Sequence, residues 1–165
     1  MVRRVFFSFD YETDLARALV VKNNWTLKEN EEAGFINNAE FERIKRDGRE
    51  NVKSWIDKQL VDTSVTVVLI GSETLDSEFV QYGIQQSYAR GNALIAIKIG
   101  QIKNLNKRTS FSQSTVKIIG RNKLDELLWF DEIIDAEYDY IKHNGFEKLE
   151  QWVEQVEQTR VKKYA

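Results

Sequence analysis

The sequence predicts an α/β domain of three layers, with a mostly parallel central sheet of about five strands flanked by helices. Three observations predict it. "TSVTVVLIGS" (63–72) and "ALIAIKIG" (93–100) are apolar on both faces, as strands buried between two helical layers must be. Between them "DSEFVQYGIQQSYARGN" (76–92) carries Phe79, Val80, Ile84, Ser87 and Tyr88 at helical spacing, with Gly91 where a helix would end. Strand, helix, strand at this length is a βαβ unit with parallel strands and a right-handed crossover.

The other elements follow along the chain. "RRVFFSF" (3–9) is β-branched and aromatic and stops at Asp10, which reads as a buried strand. "TDLARALVVKNNW" (13–25) places Leu15, Leu19 and Val20 at helical spacing, with Thr13 as the expected N-cap. "TLKENEEAGFINNAE" (26–40) is polar and reads as a long surface loop leading into a short helix, "AEFERIKR". A clearer helix, "RENVKSWIDKQLVD" (49–62), shows a stripe of Val52, Trp55, Ile56 and Leu60. Beyond Gly100 come a loop (101–114), a short strand "TVKIIG", and "KLDELLWFDEIIDAEYDYI", whose pattern fits helix and strand alike. "GFEKLEQWVEQVEQ" (145–158) closes the fold as an amphipathic helix on Phe146, Leu149, Trp152, Val153 and Val156. The 165 residues, without repeat or linker, read as one domain, 1–165, with one sizeable core.

Composition narrows the chemistry. With no cysteine, disulfides, thiolate nucleophiles and cysteine-based zinc sites are excluded. The one histidine, His143 in "KHNGF", reads as a solvated turn residue and cannot build a His-pair metal site. Net charge is −2 with both signs interspersed, so no nucleic-acid surface is expected. No apolar run approaches the roughly 20 residues of a membrane span, and no signal-peptide layout opens the chain. A cytoplasmic protein is expected.

In open parallel sheets ligands bind beyond the carboxyl ends of the strands. That rule selects Ser8, Phe9, Asp10 and Tyr11 after the first strand, and Gly71, Ser72 and Glu73 after the central one. The helix that follows would present N–H groups suited to an anion such as a phosphate. Neither a Walker A loop nor a GxGxxG turn is present, so the acids Asp10, Glu73, Asp76 and Glu78 remain as candidate catalytic groups. One residue breaks the pattern: Gly83 lies on the apolar face of its helix, where glycine costs about 1 kcal/mol relative to alanine.

"RRVFFSFDYETD", "NNW", the block 63–99 and "YDYIKHNGFEKLEQWV" together resemble the TIR-like family of bacterial proteins, whose members include the TIR component of the Thoeris anti-phage system. The resemblance spans nearly the whole chain and implies a TIR-like, flavodoxin-like fold. It implies an enzyme that cleaves NAD between nicotinamide and ribose, making an ADP-ribose-derived signal for an effector protein of the same defence system. TIR domains often act through self-association, so a second copy is a further expected partner. NAD is then substrate or ligand, and no resident cofactor is implied. In the family a glutamate stabilises the cationic ribose, in a pattern resembling S-x-x-[WF]-V-x-Y-E. Laid on this chain the pattern gives Phe79, Val80 and Tyr82, and Gly83 at the glutamate position.

Loss of a group acting mainly in the transition state costs several kcal/mol of barrier. Glu78, five residues earlier, points about 140° away around the helix. Glu73 and Asp76 lie on the preceding loop, and Asp10, at the end of the first strand, is the best-placed substitute by sequence. The resemblance further implies that Ser8, Phe9, Asp10 and Tyr11 line the nucleotide pocket. Asn24 and Trp25 would face it, and Ser72 and Tyr82 would flank the ribose. The alternative is a catalytically silent TIR-like module that binds a nucleotide or another protein.

Overall fold

The central apolar runs dictate the architecture. In the computed structural model, which describes residues 4–164, five parallel strands run through the middle: β1 (Arg4–Ser8), β2 (Glu31–Ala33), β3 (Val65–Ile70), β4 (Ala93–Lys98) and β7 (Ala136–Asp139), in the order β2-β1-β3-β4-β7. Residues 1–3 and 165, assigned by sequence to the single domain and in part to the first strand, lie outside the described residues. Every residue of β3 is buried. Its side chains alternate, Val65, Val67 and Leu69 joining one apolar cluster and Val68 and Ile70 another, so each face has its own core. On one face lie α1 (Tyr11–Leu27) and α6 (Gly145–Tyr164), and on the other α4 (Glu78–Arg90) with a hairpin of β5 (Ile118–Arg121) and β6 (Leu127–Trp129). Next to α4 runs α3 (Arg49–Gln59), preceded by α2 (Asn38–Arg46), and α5 (Phe130–Ile133) links β6 to β7.

Several expectations are corrected. The "surface loop" at 26–40 contains β2, a three-residue edge strand paired with β1 through Arg4–Glu31, Val5–Glu32 and Phe6–Ala33. "TVKIIG" forms a strand only from Ile118, in the separate hairpin, while the fifth strand of the main sheet comes from the ambiguous segment after it. The first helix starts earlier than expected. Asp10, not Thr13, is its N-cap, accepting from the Glu12 N–H at 3.1 Å. Leu19 and Val20 are exposed, and α1 instead buries Tyr11, Asp14, Arg17, Ala18, Val21 and Trp25. Two of those six are charged, which sequence periodicity does not score as core. Tyr88 and Phe146 also face outward, Phe146 lying under the Lys28 ammonium. His143 is exposed, its Nδ1 accepting from the Asp139 N–H at 2.8 Å.

Candidate active site

The strand order is that of flavodoxin-like sheets, in which successive strands are added on opposite sides of β1 and a crevice opens beyond the carboxyl ends of β1 and β3. A cavity of about 420 Å³ occupies that crevice, bounded by the ends of β1, the loop 73–77 and the start of α4. Its volume falls in the range of small-ligand sites.

One wall is aromatic. Tyr11 and Phe41 stack with centroids 4.1 Å apart, Phe9 stacks on Tyr11 at 4.4 Å, and Trp55 meets Tyr11 and Phe41 edge-on at 6.2 and 6.0 Å. Tyr11 is locked in place, donating to the Gly34 carbonyl at 2.5 Å and accepting from the Ile36 N–H at 3.1 Å. Burial raises its hydroxyl pKa, so it stays protonated. Tyr11 is thus covered by Phe9 and Phe41, and an incoming ring meets the edges of this stack and the half-buried Trp55.

The floor is Phe6 and Ser8, and beneath it lies Gly83. A Cβ built on Gly83 would stand 3.4 Å from both the Phe6 ring and Ser8 Oγ, an ordinary contact. A Cβ at Gly83 would therefore touch two residues of the cavity floor, although Gly83 itself does not line the cavity.

Five carboxylates line the cavity, and four are engaged. Asp10 caps α1 and accepts from Thr13 Oγ1 at 3.0 Å. Glu12 pairs with Lys45 across the mouth, which holds its carboxyl below the usual range. Asp76 pairs with Lys117 at 2.5 Å and accepts from Gln113 at 2.9 Å, and the Lys117 contact lowers its pKa likewise. Glu78 accepts from Arg49 Nε at 2.9 Å. Glu73 has no side-chain partner among the described residues.

The loop that carries Glu73 is pinned. The Gly71 N–H donates to Thr74 Oγ1 at 2.7 Å, and that hydroxyl donates to the buried Asp14 carboxylate at 2.8 Å. Only glycine allows this approach, because a Cβ on Gly71 would lie 2.2 Å from Asp14 Oδ1. From outside, Gln113 accepts from the Leu75 N–H at 2.6 Å and donates its own N–H to the Gly71 carbonyl at 2.9 Å.

The sequence-selected residues divide accordingly. Ser8, Phe9, Asp10 and Tyr11 line the cavity, with Glu73, Asp76 and Glu78 on its opposite side. Ser72 is half-buried and does not line it. Trp25 is core, its Nε1 donating to the Glu31 carbonyl at 2.8 Å, and Asn24 donates to the Tyr140 hydroxyl at 2.6 Å away from the cavity. Tyr82 turns to α3, donating to the Asp57 carboxylate at 2.8 Å under the Lys53 ammonium. Sequence reasoning missed Phe41, Lys45 and Trp55. No local signal marks them, because Trp55 shares the apolar stripe of Val52, Ile56 and Leu60 and reads as core. Among the described residues no group of three His, Asp or Glu converges as a metal site.

The family described as "Thoeris protein ThsB, TIR-like domain" matches residues 6–104. A relative from Bacillus cereus (strain MSX-D12), described as a putative cyclic ADP-D-ribose synthase ThsB1, is 36% identical over 129 residues. That match covers 77% of this chain and 64% of the relative, so the chain aligns with somewhat under two thirds of its length. A solved structure of a Clostridium botulinum CMP N-glycosidase, BcmB, superposes over 91% of this chain and 99% of its own, at a TM-score of 0.48 and 14% identity.

Proposed function

The chain belongs to the Thoeris ThsB TIR-like domain family, and we propose that it cleaves NAD at the bond between nicotinamide and ribose to yield an ADP-ribose-derived signal. The observation that carries this is the cavity beyond the carboxyl ends of β1 and β3. It joins an aromatic wall, with half-buried Trp55 at its edge, to five carboxylates of which Glu73 is left to face a cationic sugar. The name of the Bacillus cereus relative supports the same chemistry.

In this reading Trp55 holds a ring against the edge of the Phe9–Tyr11–Phe41 stack, Ser8 lies under the ribose, and Lys45 at the mouth exchanges Glu12 for the phosphates. The signal acts on an effector protein of the same anti-phage system, and self-association raises activity. The test is to incubate the purified protein with NAD and follow free nicotinamide by chromatography. Saturable release in proportion to protein is expected, and no release even at high protein concentration would exclude catalysis.

Gly83 favours a second reading, a nucleotide-binding module without catalysis, because it leaves no carboxylate where the family pattern has one. Wild-type protein that binds NAD without turnover, with turnover appearing in Gly83→Glu, would select this second reading. A Cβ at Gly83 meets only ordinary contacts with Phe6 and Ser8, and the melting temperature of Gly83→Glu shows whether the rest of the side chain is accommodated.

A further inference from the structure

We infer that Glu73 supplies the carboxylate that the chain lacks at Gly83; the role rests on the NAD-cleaving reading of the cavity. A carboxylate opposite a developing sugar cation must meet three conditions. It must reach the cavity, it must carry lone pairs not already held by a cation, and it must sit on backbone that does not have to be ordered during the reaction.

Glu73 meets all three. It lines the cavity with Ser8, Phe79 and Val80. The other four acids there are divided between a helix cap and pairs with Lys45, Lys117 and Arg49. A carboxylate already facing a cation has its charge offset, so it stabilises a second cation less than an unpartnered one does. Asp10, the best substitute by sequence, uses both oxygens at the start of α1.

Loop position alone would make Glu73 a poor catalyst, but this loop is held at both ends. On the inner side the Gly71–Thr74–Asp14 chain fixes the turn immediately flanking Glu73. On the outer side Gln113 straps it at Gly71, Leu75 and Asp76. The Glu73 carbonyl also accepts from the Asp76 N–H at 3.2 Å. The backbone of Glu73 is thus pre-positioned by residues that the reaction does not touch.

The step balances without a co-reactant other than the acceptor. The bond between ribose C1 and the nicotinamide nitrogen breaks, and its electron pair goes to the pyridinium ring, which leaves neutral. The positive charge passes to the ribose C1–O unit, facing the Glu73 carboxylate. Water, or a nucleophilic nitrogen of the same ADP-ribose, then adds to C1. In the water case a proton is released to solvent.

The test is steady-state nicotinamide release by wild type, Glu73→Gln and Glu73→Asp, with melting temperature and NAD binding measured on each. The expected result is a kcat at least 100-fold lower in Glu73→Gln, a KM within threefold, an unchanged melting temperature, and at least tenfold recovery in Glu73→Asp. A catalytically active wild type with Glu73→Gln within tenfold of its kcat overturns the role of Glu73 alone. A wild type that releases no nicotinamide overturns the reading of the cavity, and the role with it.

Discussion

The two ends of the sheet present two different cavities, and the larger one is not the better candidate for chemistry. At the carboxyl ends of the strands the cavity of about 420 Å³ is walled by stacked aromatics and met by the N-terminus of α4. At the opposite end a groove of about 1070 Å³ runs between the last turns of α4, the tip of the β5–β6 hairpin and α6. Arg90, Arg121, Lys123 and Arg160 line it beside Tyr88 and Leu124. Much of that charge is already answered. Arg160 pairs with Asp135 at 2.9 Å, Arg121 donates to the Asp125 carbonyl at 2.6 Å, and Arg90 sits in the last turn of α4, where a cation offsets the exposed helix carbonyls. Helix N-termini and the carboxyl ends of the strands converge at one end, helix C-termini at the other, so field and backbone donors favour the smaller cavity. Volume measures room, while the direction of the chain decides what the room can do.

The largest expected effect separates the ends through two glycines. Gly71 stands against the Asp14 carboxylate, and its replacement by alanine puts a Cβ 2.2 Å from Oδ1. Overpacking of this kind costs about 2–3 kcal/mol, and the pinned loop would shift with it. Gly91 at the other end has open space around it but caps α4 at φ 87°, so alanine there costs about 1 kcal/mol of conformational strain. Urea melts of Gly71→Ala and Gly91→Ala should show that order, with nicotinamide release reduced only in Gly71→Ala. Equal losses of stability would break the contrast.

A smaller effect addresses ligand binding. Trp55 is half-buried at the cavity wall, edge-on to Tyr11 and Phe41. Trp55→Ala should raise KM for NAD about tenfold, a loss of about 1.4 kcal/mol in keeping with one aromatic contact. Tyr88→Ala, in the opposite groove, should leave KM within twofold. The reverse result would move the nucleotide to the larger groove.

Legibility in the sequence follows how local the cause of each feature is. The strands β3 and β4 are continuous apolar runs, and α4 carries its own stripe, Ser77 cap and Gly91 stop, so all three can be read from neighbours alone. By contrast β2, "EEA", has no strand pattern and exists because β1 offers it a ladder. The face of α1 was misread because Asp14 and Arg17 are buried by distant partners. Arg17 donates to the carbonyls of Ile102 and Arg108 at 2.6 and 3.0 Å, 85 and 91 residues away. Of the site, the rim after β1 was legible from topology, since strand ends are where ligands bind. Phe41, Lys45 and Trp55 were not, because α2 and α3 reach the cavity only through tertiary packing.

The smallest effect comes from Asp14 and again belongs to the carboxyl end. Burial raises its pKa above the usual 3.8, outweighing the Thr74 hydrogen bond and nearby Arg17 that lower it, with Asp10 adding to the rise. A carboxyl whose folded pKa exceeds its unfolded value binds the proton more tightly in the native state. Its contribution is therefore complete below the unfolded pKa and is lost as pH climbs through the folded one. Asp14→Asn keeps an acceptor for Thr74 without the buried charge, so it should be more stable than wild type at pH 7. The gain should shrink as pH falls through the raised pKa towards 3.8. Glu12 and Asp76, whose pKa values are lowered by Lys45 and Lys117, act in the opposite sense, but they are common to both proteins and cancel in the difference. Paired urea titrations between pH 4 and 7 give that difference directly. A constant gap across the range would mean that Asp14 is ionised throughout and that the charge itself holds Thr74 and the Glu73 loop in place.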